Sequence, residues 1–155
     1  MNILTKLSLL LLFISQSLIA QQSAVYTDSN QDYNKAVQLY KENQFQASQI
    51  LFDKVKSTAT SEEIISDCDY YIANCAIKTN QSGADALMES FIENHPTSTK
   101  RNSAYLEVAQ YYFAEGNYTQ SLKWYENIYE PELADSDIDK ANFQRGYAYF
   151  SIKNN

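Results

Sequence analysis

The side chains of this chain that could do chemistry are few, and their spacing argues against catalysis. His95 is the sole histidine and stands directly before Pro96. No serine motif, cysteine or second histidine is arranged to make it a general base or a metal ligand, so it reads as a linker residue. Cys68 and Cys75 fall on one predicted helix, seven residues apart. Two turns of rise separate their α-carbons by roughly 10 Å, beyond the reach of a disulfide, so both read as buried small hydrophobes. Asp135-x-Asp137-x-Asp139 opens like a calcium loop, but Lys140 fills the position that needs glycine and Gly146 the one that needs glutamate. These acids read as capping groups for the last helix, where they complement its positive N-terminal end. Glu62, Glu63, Asp67 and Asp69 open an earlier helix in the same way. No glycine-rich phosphate loop is present, and no cofactor and no metal are expected.

The elements around those residues are set by composition and by periodicity. Three Gly and two Pro in 155 residues leave no room for a turn-rich β fold. The chain carries 19 acidic against 12 basic residues, a formal charge of −7. Such an acidic surface disfavours nucleic acid and anionic membranes. Met1 to Lys6, the apolar run Leu7 to Ile14 and the close at Ser15 to Ala20 have the three-part layout of a secretory signal peptide. The run is too short to span a membrane. Cleavage after Ala20 would leave Gln21 first, and no cysteine lies nearby for lipid attachment. The mature protein is therefore expected to be exported, periplasmic or outer-membrane-associated, without a membrane span. Residues 21–30 are polar and aperiodic and read as a flexible lead-in.

Beyond residue 30 the sequence repeats itself. Ala36, Ala73, Ala109 and Gly146 recur at intervals of 37, 36 and 37, and seven residues after each comes a turn-like position: Asn43, Asn80, Gly116 and Lys153. A fixed period in this range signals stacked helical hairpins, each burying its apolar face on its neighbour. Around Ala109 the bulky residues Tyr105, Val108, Tyr112 and Phe113 follow one helical face; Gly116 then ends that helix, and a second begins near Thr119.

That third unit resembles the tetratricopeptide repeat, with Ala109, Tyr112, Gly116, Tyr118, Ser121 and Tyr125 matching the family's order of small, aromatic, Gly, aromatic, small and aromatic residues. The first unit follows in phase with Ala36, Leu39, Asn43, Phe45, Ser48, Phe52 and Val55. In the second unit Ala73, Ala76 and Asn80 fit, but Ser82 stands where an aromatic belongs. Either Ala84 or Ala86 supplies its second-helix contact, which leaves that register open by one or two residues. Phe91 through Pro96 to Ser98 is similar to the linker of bacterial envelope repeat proteins, among them outer-membrane assembly lipoproteins and cell-division coordinators. The resemblance implies an all-α, right-handed solenoid of antiparallel helix pairs. It has about three and a half repeats after the signal peptide, at about 31–58, 66–95, 101–130 and a partial 138–155. Tyr112, Tyr118 and Tyr125 would be core. The last helix, about Asp139 to Ile152, would have no partner helix, so the chain is expected to be the front of a longer array or to self-associate through that helix.

In such arrays the first helix of each unit lines the concave face. By position the resemblance implies a groove of Tyr33, Val37 and Tyr40, then Tyr70, Asn74 and Ile77, then Leu106, Gln110 and Phe113, extended by Phe143, Tyr147 and Phe150. An aromatic, weakly charged groove suits a peptide held by apolar anchors. Tyr70 occupies a position where the family's carboxylate-clamp members need lysine, so chaperone C-termini are not the expected ligand. The leading expectation is a non-catalytic scaffold binding a protein or peptide partner. The alternatives are an N-terminal spacer segment of a larger envelope repeat protein and, least favoured, a carboxylate-based hydrolase relying on an acid such as Asp67 or Asp69.

Overall fold

The computed structural model describes residues 30–153, which are predominantly helical and contain no strand. Helix α1 covers residues 30–41. It is followed by α2 (Phe45–Thr58), α3 (Glu62–Lys78), α4 (Ala84–Asn94), α5 (Arg101–Ala114), α6 (Tyr118–Tyr125), a 3-10 turn at Glu130–Glu132 and α7 (Asp135–Lys153). The expected signal peptide, its expected cleavage bond and residues 21–29 of the expected lead-in lie outside the described residues, while Asn30 is helical. No described helix is long and apolar enough to cross a membrane.

The periodic turn residues close the first helix of each pair in the same way. Asn43, Asn80 and Gly116 all have positive φ, at 59°, 53° and 74°. At each, the N–H of that residue bonds the carbonyl three back and the next N–H the carbonyl five back: Asn43 to Tyr40 with Gln44 to Leu39, Asn80 to Ile77 with Gln81 to Ala76, and Gly116 to Phe113 with Asn117 to Tyr112. This double bond satisfies carbonyls that a helix end otherwise orphans. Glycine reaches the left-handed region without strain, and asparagine is the next best able to. Lys153 breaks the series, since α7 runs through it. Helix α7 also begins earlier than expected, so that Asp135 and Asp137 lie in its first turn.

Small residues set the contact between the helices of each pair. Ser48 Oγ donates to the Ala36 carbonyl at 2.9 Å and Ser121 Oγ to the Ala109 carbonyl at 2.8 Å, all four residues buried. In the second pair Gly83, with φ 76°, is the N-cap and delays α4 to Ala84. Ala84 is the buried small contact and Ala86 is exposed, which settles the register: Ala84, Met88 and Phe91 fill the places held by Ser48, Phe52 and Val55 in the first pair.

Three clusters of buried residues make up the core. One cluster holds Ala36, Phe52, Val55, Cys68 and Ile72, the next Ala73, Met88, Phe91 and Val108, and a third Leu106, Ala109, Tyr125 and Ala141. Phe52 lies parallel to Tyr71 with ring centroids 4.7 Å apart. From α2 onward each helix packs on the next, α3 also touches α5 and α5 touches α7, whereas no comparable packing joins α2 to α4 or α4 to α6.

Of the three tyrosines expected in the core only Tyr125 is buried; its hydroxyl donates to Gln144 Oε1 at 2.6 Å. Tyr118 is half-exposed, its ring edge-on to Tyr147. Tyr112 is also half-exposed and donates to Asp85 Oδ2 at 2.9 Å. The reason is Asp85, beside the buried Ala84 on α4, which turns a carboxylate rather than an apolar side chain toward the Tyr112 phenol. Tyr112→Ala is therefore expected to cost about 1–2 kcal/mol, one hydrogen bond and part of a ring, rather than the ~3–5 kcal/mol of a fully buried aromatic. Urea unfolding measures it; a loss above about 3 kcal/mol would show that the ring is enclosed.

Candidate functional site

The first helices of the pairs, α1, α3 and α5, together with α7, contribute one continuous face. Polar pairs stitch neighbouring helices across it. Tyr40 donates to Asn74 Oδ1 at 2.8 Å, Lys78 pairs with Glu107 at 2.9 Å, and Lys140 donates to Gln110 Oε1 at 2.7 Å. Burial above all, and then the Glu107 carboxylate, push the phenols of Tyr40 and Tyr70 well above the ordinary tyrosine value.

The twelve residues expected to line a groove divide into three sets. Tyr33, Val37, Tyr40, Tyr70, Gln110 and Phe113 are half-buried. Tyr33 meets Phe52 edge-on, Val37 packs beside it, and Tyr70 meets Phe91 edge-on at 5.5 Å. Asn74, Ile77 and Leu106 are buried, and here the expectation is corrected. Ile77 is absorbed by the cluster around Met88 and Leu106 by the cluster around Tyr125, because each lies on the flank of its helix that meets the next pair. Asn74 is enclosed beneath Tyr40, whose hydroxyl its Oδ1 accepts. Phe143, Tyr147 and Phe150 are exposed on α7, with Tyr147 edge-on to Phe113 at 5.7 Å. Lys78, Glu107 and Lys140 are not among the residues expected in the groove, an expectation that follows apolar anchors. Their signal was there: Lys78 is one turn beyond Asn74, and Glu107 adjoins Leu106.

The carboxylates at the start of α3 form a second polar region. A cleft of about 650 Å³ separates the first turns of α3 from the connection after α4, with Glu62, Glu63, Ser66, Asp67, His95 and Lys100 in its walls. Asp67 accepts the Tyr33 hydroxyl at 2.6 Å and faces Lys100 Nζ at 3.6 Å. Asp69 pairs with Lys56 and lies 3.0 Å from His95 Nε2. These two acids thus tie α3 to α1, α2, the end of α4 and the start of α5. His95 is more than a linker residue, since its ring joins Asp69 while stacking at a tilt against Phe91.

Both cysteines are free and buried. Burial, with Asp69 and Asp67 nearby, pushes the Cys68 thiol up to about 12, and burial also raises Cys75. Thiolate, the reactive form, is therefore suppressed. The native protein is expected to show no thiol reacting with Ellman's reagent at mildly alkaline pH and two after denaturation; fast native reaction would contradict the burial. The same shifts set an alkaline limit on stability. A proton held more tightly folded than unfolded stabilises the native state fully below the unfolded value, and that contribution is lost as pH rises through the folded one. For Cys68 the window opens near 9.0 and closes at about 12; for the Tyr125 phenol, raised by burial, it runs from 10.0 to about 12. Through these groups stability should thus hold from neutral pH to about pH 9 and fall above it, as thermal melts at stepped pH would record.

Compared with known proteins, the chain matches no family model, no curated protein and no solved structure.

Proposed function

We propose that this chain is a non-catalytic helical-repeat scaffold of tetratricopeptide type, exported to the cell envelope, that binds a peptide or protein partner on the face of α1, α3, α5 and α7. The observation that carries the reading is the asymmetry of the packing: α3 touches α5 and α5 touches α7, while the second helices of the pairs do not pack together in this way. A stack held closer on one side curves toward that side, so the first helices line its inner surface. Three identically closed hairpins at the sequence period, and two hydroxyl-to-carbonyl bonds at matching positions, support the repeat assignment. The inner face offers half-buried aromatics interleaved with Lys78, Glu107, Gln110 and Lys140. It suits a peptide with apolar anchors and both backbone and charged groups to pair. Asp67 and Asp69 hold helices together, which weighs against the hydrolase alternative.

The test is photo-cross-linking from envelope extract with the parent chain, a Glu107→Lys/Gln110→Ala variant and an Ile50→Ser control. Ile50 is exposed on α2, away from the inner face. Circular dichroism first verifies that all three fold. A partner captured by the parent and the control but lost by the inner-face variant is the expected result. Capture lost only in the control would move the binding surface to the outer helices and overturn the reading.

A further inference from the structure

Eight large hydrophobic side chains are exposed among the described residues, and five of them lie on α7. Phe143 is 70% exposed, Phe150 68%, Tyr149 56% and Tyr147 48%. Ala141 and Ala148 are buried on the opposite side, where α7 meets the rest of the stack. Along the exposed side Asp139, Phe143, Gly146, Phe150 and Lys153 follow one another at intervals of four, three, four and three. That is the seam by which one helix receives another.

We propose that this seam is a homodimer interface, in which α7 of one protomer crosses its partner's α7 antiparallel at Gly146. Three observations select a second copy. Asp139 and Lys153 lie seven residues on either side of Gly146, so an antiparallel pair sets each carboxylate against the partner's ammonium, twice over. A parallel pair would set like charges together. Neither side chain takes part in an ion pair among the described residues. Phe143 and Tyr149 lie three residues on either side of the same point, so the same symmetry brings each phenylalanine to its partner's tyrosine. A Cβ built at Gly146 meets nothing within 4 Å, which leaves the crossing point open for close backbone approach. The interface is isologous and closes at two copies, without propagating into a fibre. The exposed rings of Phe143, Tyr149 and Phe150, with Asp139 and Lys153 beside them, offer on the order of 500 Å² per protomer, about 1,000 Å² in all, the lower limit for a specific interface. The dimer is accordingly weak and concentration-dependent. The seam shares α7 with the inner face, but sedimentation of the pure chain reads self-association alone and partner capture reads the inner-face variant, so either reading can fail without the other.

Sedimentation equilibrium from micromolar to near-millimolar protein tests it. The parent should fit a monomer–dimer equilibrium, and Phe143→Asp should raise the dissociation constant at least about tenfold. Asp139→Lys alone and Lys153→Asp alone should each weaken association by roughly threefold or more, and the two together should restore it. Gly146→Cys should form a disulfide between protomers on mild oxidation, because a residue at a twofold axis meets itself. A chain that stays monomeric throughout, or a dimer indifferent to Phe143→Asp, would overturn the proposal, as would charge variants that do not rescue each other. Phe143 is exposed, so circular dichroism of Phe143→Asp should match the parent; a dimer persisting in that folded variant would place the interface elsewhere.

Discussion

Replacing Phe52 with alanine is expected to lower the unfolding free energy by about 3–5 kcal/mol, the range for deleting a fully buried aromatic ring. The ring is wholly enclosed. Its position explains why the loss should sit at the upper part of that range. Phe52 stacks on Tyr71 from α3 and receives the edge of Tyr33 from α1, so one side chain holds three helices in contact. Tyr33 in turn reaches Asp67, and removing Phe52 loosens that hydrogen bond by freeing the ring behind it. Collapse of the cavity is hindered because Val55, Cys68 and Ile72 around it belong to helices already fixed by their own neighbours. Since each unit of a stack contacts only its neighbours, the damage should be local. Amide exchange is expected to accelerate in α1 and α2 well before α5 and α6. Guanidinium unfolding gives the total, and hydrogen exchange gives its distribution. A loss below about 1 kcal/mol, or uniform acceleration along the chain, would contradict the nearest-neighbour picture.

The backbone architecture was largely legible in the sequence because its signals are local. A residue able to take positive φ ends each first helix, and a small residue seven positions earlier permits close packing; both leave a mark at a fixed period. Asn43, Asn80 and Gly116 therefore predicted their turns correctly. The second unit could not be read to the residue because two alanines competed for the contact. The choice falls to the left-handed Gly83, the N-cap of α4, after which Ala84 packs in the cluster with Ala73 and Ala76. Burial was read less well than the turns. Ile77 and Leu106 were assigned to an open face by family position, yet the flank of a helix that meets the next pair is decided by the stacking angle, which no single unit encodes. Long-range polar ties were the least visible of all. Asp69 with His95, or Asn102 exchanging 2.9 and 2.8 Å bonds with the backbone of Tyr129, join residues 26 and 27 positions apart that carry no common pattern.

The small position that defines the repeat yields the second large effect, with a sign that depends on the unit. Ala109→Leu is expected to destabilise by about 2–3 kcal/mol, the cost of overpacking a closed helix contact. Ala109 is fully buried, and its carbonyl accepts the Ser121 hydroxyl, so three added carbons must push α5 and α6 apart or break that bond. Gly146 occupies the same place in the period, but nothing lies within 4 Å of a Cβ there and its φ is helical. Gly146→Ala should therefore stabilise α7 by about 0.5–1 kcal/mol, through reduced freedom of the unfolded chain and better helix propensity. Urea unfolding at low micromolar concentration, where a weak dimer is dissociated, isolates this gain from any effect on association. Opposite signs at the equivalent position of two units would show that the small residue is required by the helix packed against it, and not by the helix that carries it. If Gly146→Ala instead destabilised the monomer by 1 kcal/mol or more, another part of the chain would have to cover α7 already. The seam would then be closed to a second copy, and the exposed aromatic rings could not act as a dimer contact.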